Sequence, residues 1–326
     1  MRISALITTL LSGVATLQVQ AFVSPHVSQK VAAPFGVGHF NDKANLVQTS
    51  VSQDEIIRTL QRSRVITFMG WGPEPIWSEA TVVSNEPACP STNCVSVTVE
   101  VPSETLEAYK VPGQYVQMKV SVADEDAKPI FLAIASPPAK DEDSNTNTME
   151  FLIKKTDNNS WITSATPSST IAVSQVLGSG FPMEENLEGF KYDFPTQNVL
   201  LFANGSGIAP IRAAIESGQL KVGPNSGRTA RLYYGVSTPS DMPYAEKFGK
   251  WEQNGVEVVP VVSRPEECKL EWIGRTGYVQ NALEEDGVPI PRNSGALLCG
   301  VKGMAESVKD LLTKAGVFEG RVLTNF

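Results

Sequence analysis

The residues with the clearest chemical potential lie in one stretch, Val199-Leu-Leu-Phe-Ala-Asn-Gly-Ser-Gly-Ile-Ala-Pro-Ile-Arg212. It opens as a short apolar run, which reads as a buried strand. It then turns through Gly205, Ser206 and Gly207 and restarts as a helix, with Pro210 near the first turn. Pro suits that place because its missing N–H would be unpaired there anyway. A glycine turn feeding a helix offers backbone N–H groups and the positive end of the helix dipole to an anion. At a strand-to-helix joint the usual anion is a dinucleotide pyrophosphate. The motif alone leaves an ordinary tight turn open.

The remaining composition excludes several other chemistries. With 326 residues, 41% hydrophobic and 19% charged, the chain is long enough for two globular domains. Its net charge of -8 comes with no basic stripe, so no nucleic-acid partner is expected. Cys89, Cys94, Cys268 and Cys299 are too few and scattered for a disulfide framework. Cys89 and Cys94 lack the second pair that a zinc or iron–sulfur site would need, so no metal is expected. The only histidines, His26 and His39, lie near the start, which excludes a histidine triad in the body of the chain.

These residues must be positioned by the surrounding elements. Residues 1–21 have the pattern of a signal peptide, and 22–50 that of a transit peptide. Together they resemble the bipartite leader of algae with secondary plastids; plain secretion is the alternative. Residues 51–75 read as a linker with a short helix at Asp54–Gln61. Strand-like runs follow at Ser78–Val83, Cys94–Val101, Gln114–Val120, Ile130–Ala135, Met149–Lys154 and Thr170–Ser174. They predict an antiparallel β-barrel over 76–184. From about 190 to 326, strands alternate with helices, which predicts an α/β domain with a parallel, Rossmann-like sheet. No stretch after the leader is long and apolar enough to cross a bilayer.

A barrel followed by a nucleotide domain resembles the ferredoxin–NADP reductase superfamily of flavin reductases. Pro112-Gly-Gln-Tyr115, Gly205-Ser-Gly-Ile-Ala-Pro210, Tyr234-Gly235, Ser263-Arg264, Gly277-Tyr-Val-Gln280 and Cys299-Gly-Val-Lys-Gly-Met304 carry the resemblance, in family order. Phe131-Leu-Ala-Ile-Ala-Ser-Pro137, Gln175–Phe181 and Leu323-Thr-Asn-Phe326 look like a plant plastid subgroup that includes a kiwifruit protein. The resemblance implies that Gly205, Ser206, Gly207, Ile208, Ala209 and Pro210 cradle a pyridine-nucleotide pyrophosphate. It implies that Ser263, Arg264 and Tyr278 hold an adenosine 2′-phosphate, with Gln280 in the same motif; Arg275 could add charge, and solvated loop charge is the alternative for both arginines. NADP(H) is therefore preferred over NAD(H), because a guanidinium fork suits phosphate. Gly235-Val-Ser-Thr238 resembles the family's next nucleotide-side loop. Cys299, followed by Gly300, would lie beside the nicotinamide; a buried structural cysteine is the alternative. Phe326 would cover the flavin ring or simply plug the core.

The flavin side departs from the family. Its usual Arg-x-Tyr-Ser motif falls on Ile130, Leu132 and Ala133, so the phosphate cation, the stacking aromatic and the hydroxyl are absent. Backbone groups of Ile134, Ala135 and Ser136, with Tyr115, could still line FAD. Ser160 could bind its phosphate or merely cap a helix, and Trp161 could stack or belong to the core. Two functions follow. One is an NAD(P)H-dependent flavoprotein oxidoreductase that passes electrons to an acceptor. The other is a flavin-free nucleotide-sensing or assembly module. The acidic balance disfavours ferredoxin, itself acidic, as the acceptor.

Overall fold

Alternating apolar residues build the first sheet. Strands β1 (Trp77–Pro87), β2 (Cys94–Glu100), β3 (Tyr115–Lys119), β4 (Ile130–Ala133), β5 (Thr148–Lys154) and β6 (Thr170–Ser174) pair antiparallel in the order β4-β3-β6-β1-β2-β5. The computed structural model describes residues 74–139, 146–223 and 226–325, all within one compact unit, Thr67–Phe326. The leader, the helix expected at Asp54–Gln61 and Phe326 lie outside the described residues.

In β2, Val95, Val97 and Val99 are buried, and they face Ile153, Phe151 and Met149 of β5 across the ladder. Period-two alternation sends these side chains to one interior. β1 is longer than its sequence suggests. A register shift between Val82 and Ser84 bends it, so it pairs with β2 and with β6. After β4, the Ala135 N–H donates to the Glu150 carbonyl at 2.8 Å, and the Glu150 N–H donates to Ser136 Oγ at 3.1 Å. Those bonds bring β4 and β5 together and nearly close the barrel. Helices α1 (Ser103–Ala108) and α2 (Ser160–Thr163) are too short to leave a helical period in the sequence.

Helix α3 (Met183–Leu187) leads into the second sheet. Strands β7 (Asn198–Asn204), β8 (Thr229–Val236), β9 (Val256–Val262), β10 (Arg275–Thr276), β11 (Ser294–Cys299) and β12 (Val322–Thr324) are parallel, ordered β10-β9-β8-β7-β11-β12. Helices α4 (Ile208–Ser217), α5 (Phe248–Gln253), α6 (Val279–Asp286) and α7 (Lys302–Ala315) cover it. Such a sheet buries both faces, which is why β7 reads as an unbroken apolar run. Val199, Leu201 and Ala203 join the core beneath α4, with Ile211 and Ala214. Leu200 and Phe202 join the opposite core, with Ala282 of α6 and Val308 of α7. Phe202 stacks on Tyr233 at 5.1 Å between ring centroids. Truncating such a fully buried ring to Ala costs about 3–5 kcal/mol.

The strand order has a consequence for binding. β7 starts mid-sheet; β8, β9 and β10 extend to one side, and β11 and β12 to the other. The connections therefore diverge between β7 and β11. Outside the carboxyl ends of those two strands a crevice must open, and ligands of α/β sheets bind there.

Candidate active site

Glycines set the floor of that crevice. Gly205 has φ +54°, and a Cβ built on it would meet nothing within 4 Å. Gly207 differs: its Cβ would stand 2.4 Å from the Cys299 carbonyl oxygen. Only glycine lets the turn after β7 rest on the end of β11. Gly300, at φ +156°, would bring a Cβ within 2.8 Å of Asn204 Cβ. The ends of the two strands are thus pressed together. No side chain caps α4; the Ile208 N–H turns back to the Gly205 and Ser206 carbonyls, and Pro210 carries no N–H.

The crevice continues into a cavity of about 860 Å³ that reaches the barrel. Such a volume falls within the roughly 300–1,000 Å³ usual for ligand pockets. Of the residues expected from sequence, Gly205, Ser206, Gly207, Ala209, Pro210, Cys299, Gly300 and Tyr115 line it. Ile208 is fully buried beneath the turn and takes no part in the lining. Phe131, Leu152, Lys154, Asn204 and Asn325 line it without having been expected. Glu150, Leu152 and Lys154 share one face of β5 through the period of two. Lys154 is the charged side chain of this lining. The signal for it was the strand alternation, but placing it against the glycine turn needs the tertiary fold.

A second hollow of about 400 Å³ adjoins the first, with Asn204 and Val301 common to both. Gly235, Ser263, Arg264, Tyr278 and Gln280 line it, as the sequence suggests for an adenosine-side site. Thr238 does not: its hydroxyl donates to Asp241 Oδ2 at 2.8 Å and lies 2.9 Å from Ser240 Oγ. Arg275 does not either. It is held by Asp286 at 2.6 Å, by Glu285 at 3.7 Å and by the Ala282 carbonyl at 3.2 Å.

Cys299 is partly buried at the end of β11. Burial pushes its thiol up to about 12, against a hydrogen bond with Asn325. The sulfur is thus a neutral thiol at physiological pH, suited to contact rather than nucleophilic attack. Strand β12 pairs Leu323 with Leu297 and Thr324 with Leu298, which carries Asn325 to this spot. Cys89 and Cys94 are free and buried. Burial, then Cys89, pushes the Cys94 thiol up to about 12. Among the described residues no group of His, Cys, Asp and Glu could hold a metal ion. No described helix is long and apolar enough to cross a membrane.

The flavin-side residues divide. Tyr115 lies 5.9 Å from Phe131, ring to ring, and both line the cavity. A Cβ on Gly178, at φ +79°, would stand 2.8 Å from the Tyr115 ring, so glycine leaves that ring its place. Ile134 and Ala135 are fully buried, and Ser136 Oγ is engaged by the Glu150 N–H. Ser160 Oγ donates to the Asp157 carbonyl at 3.3 Å, and Trp161 packs against the barrel core. Phe326 lies outside the described residues. The wall of Tyr115, Phe131, Leu132 and Leu152 fits a flat apolar ring system. Among the described residues Lys154 is the charged side chain that this wall offers to a phosphate.

A buried ionic cluster fixes the barrel against the nucleotide sheet. Glu150 of β5 pairs with Arg212 of α4, which also bonds Glu216 at 3.0 Å. Ser96 and Tyr244 donate to Glu150 at 2.8 and 3.2 Å, and Arg212 lies 4.5 Å over the Tyr244 ring. Burial opposes ionisation of Glu150, yet Arg212, Ser96 and Tyr244 hold its carboxyl below the usual range.

Comparison with known proteins gives a consistent picture. Residues 201–310 match the oxidoreductase NAD-binding domain family. Fruit protein pKIWI502 of Actinidia deliciosa is 34% identical over 217 residues, 65% of this chain and 65% of that protein. The leaf isozyme 1 of chloroplastic ferredoxin–NADP reductase from Oryza sativa subsp. indica is 25% identical over 39% of this chain and 37% of its own. The chain thus spans less than two thirds of either relative's length. A crystal structure of a ferredoxin–NADP+ reductase from Neisseria gonorrhoeae, with bound FAD and NADP, superimposes with TM-score 0.61 at 15% identity. That match covers 77% of this chain and 98% of the other, and it shows the fold.

Proposed function

We propose that this chain, which has the two-domain fold of ferredoxin–NADP reductase-type proteins and carries an oxidoreductase NAD-binding domain, is an NAD(P)H-dependent oxidoreductase. It takes a hydride from NADPH to a flavin, and electrons pass on to an acceptor. The observation that carries the reading is the joining of the glycine turn, Cys299 and the aromatic barrel wall around one cavity.

The roles follow from position. Backbone N–H groups of the Gly205–Gly207 turn, with Lys154 opposite, bind the dinucleotide pyrophosphate. Ser263, Arg264, Tyr278 and Gln280 take the adenosine end and its 2′-phosphate, beside Gly235. Cys299 and Gly300 hold the nicotinamide against the barrel. Tyr115 and Phe131 hold the flavin ring. A bound flavin supplies the conversion of a two-electron donor into single-electron steps. The protein contributes orientation and exclusion of water. The leader pattern and the plant origin of two relatives support a plastid location.

A second reading rests on Ile130, Leu132 and Ala133, which stand where the family's flavin motif has Arg, Tyr and Ser. It is a flavin-free nucleotide-binding module. Equilibrium titrations of the protein from residue 51 onward with NADP+ and with FAD separate the two. Binding of both supports the reductase. Binding of NADP+ with refusal of FAD supports the module, and binding of neither overturns both readings.

A further inference from the structure

The adenosine-side hollow holds one charged side chain among its lining residues, Arg264, and that charge is already engaged. Arg264 Nη1 lies 3.1 Å from Glu267 Oε1 and 2.9 Å from Oε2. The local backbone imposes this contact. Pro265 to Glu267 form a single 3₁₀ turn, opened by the Arg264 N–H donating to the Ser237 carbonyl at 2.8 Å. The Glu267 N–H donates to the Arg264 carbonyl at 3.2 Å, which folds Glu267 back beside Arg264. Arg275, the other nearby cation, is locked by Asp286 and does not line the hollow.

We infer that Glu267 is an internal competitor for the 2′-phosphate and sets the selectivity of the site between NADPH and NADH. This rests on the proposed nucleotide site. A 2′-phosphate must take the guanidinium from the Glu267 carboxylate, whereas a dinucleotide with a free 2′-hydroxyl need not. Both side chains are about half exposed, 53% and 49%. The pair is therefore weak enough to exchange and strong enough to lower affinity. Glu266 carries the same charge one residue earlier and makes no ion pair with Arg264 among the described residues.

The test compares 2′,5′-ADP with 5′-AMP, and NADP+ with NAD+, by equilibrium titration of wild-type protein. The variants are Glu267→Gln, Glu266→Gln, Arg264→Gln and the double variant Glu267→Gln with Arg264→Gln. Releasing a surface pair of this strength should tighten 2′,5′-ADP and NADP+ binding roughly three- to fivefold. Binding of 5′-AMP and NAD+ should not change. Glu266→Gln should give a smaller gain, and the gain from Glu267→Gln should vanish when Arg264 is also replaced. An equal gain in both glutamate variants would reduce the effect to net charge and overturn the inference. So would unchanged 2′,5′-ADP affinity in Glu267→Gln. If the wild type binds none of the four ligands, the nucleotide site itself fails; if it binds them, the two failures are distinct.

Discussion

Gly207 and Cys299 meet backbone to backbone: a Cβ on Gly207 would stand 2.4 Å from the Cys299 carbonyl oxygen. The turn after β7 and the end of β11 are therefore one rigid unit. Gly205 is the opposite case, with nothing within 4 Å of its Cβ position. Gly205→Val should abolish NADP+ binding while costing about 1–2 kcal/mol from its left-handed φ. Gly207→Ala should lower stability further, because the clash is with backbone that cannot turn aside. Thermal unfolding and NADP+ titration of both variants check this. Equal stability losses would contradict it.

Lys154 faces the cavity from the barrel as the charged side chain of its lining. Lys154→Met should weaken NADP+ binding about tenfold, since a charge-assisted contact to phosphate contributes roughly 1.5–3 kcal/mol. The variant should also show less dependence on salt than the wild type. Nicotinamide mononucleotide and NADP+ titrations at two ionic strengths would measure it; an unchanged salt slope would count against the assignment.

Much of the nucleotide half was legible because its chemistry is local. The apolar run of β7, the glycine turn and the start of α4 are consecutive, and Ser263 and Arg264 simply follow β9. The barrel half was less so. The burial of Ile134 and Ala135 depends on β4 meeting β5. Glu150 finds Arg212 across 62 residues and Tyr244 across 94. Asn325 reaches Cys299 only because the short strand β12 adds beside β11. None of these leaves a spacing that a single stretch of sequence can reveal. Arg275 is a further case: Asp286, its partner on α6, holds it outside the lining of the second hollow.

The Glu150–Arg212 pair predicts an acid-sensitive junction. The folded-state carboxyl of Glu150 is lowered, so its stabilisation is present above the unfolded value of about 4.3 and is lost as pH falls through the folded value. Glu150→Gln leaves Arg212, only 7% exposed, with Glu216 as its remaining acid. It should cost roughly 3 kcal/mol at neutral pH and flatten the decline in melting temperature below pH 5. Parallel pH curves for wild type and variant would show that the cluster does not govern this dependence.

The proposed reductase depends on one cavity that brings a nicotinamide and a flavin together. Its most direct test is an anaerobic visible spectrum of FAD-reconstituted protein, from residue 51 onward, before and after NADPH. A working reductase gives flavin bands that bleach with NADPH in the wild type and persist in Gly205→Val. Bands that persist in the wild type, with NADPH demonstrably bound, would contradict it.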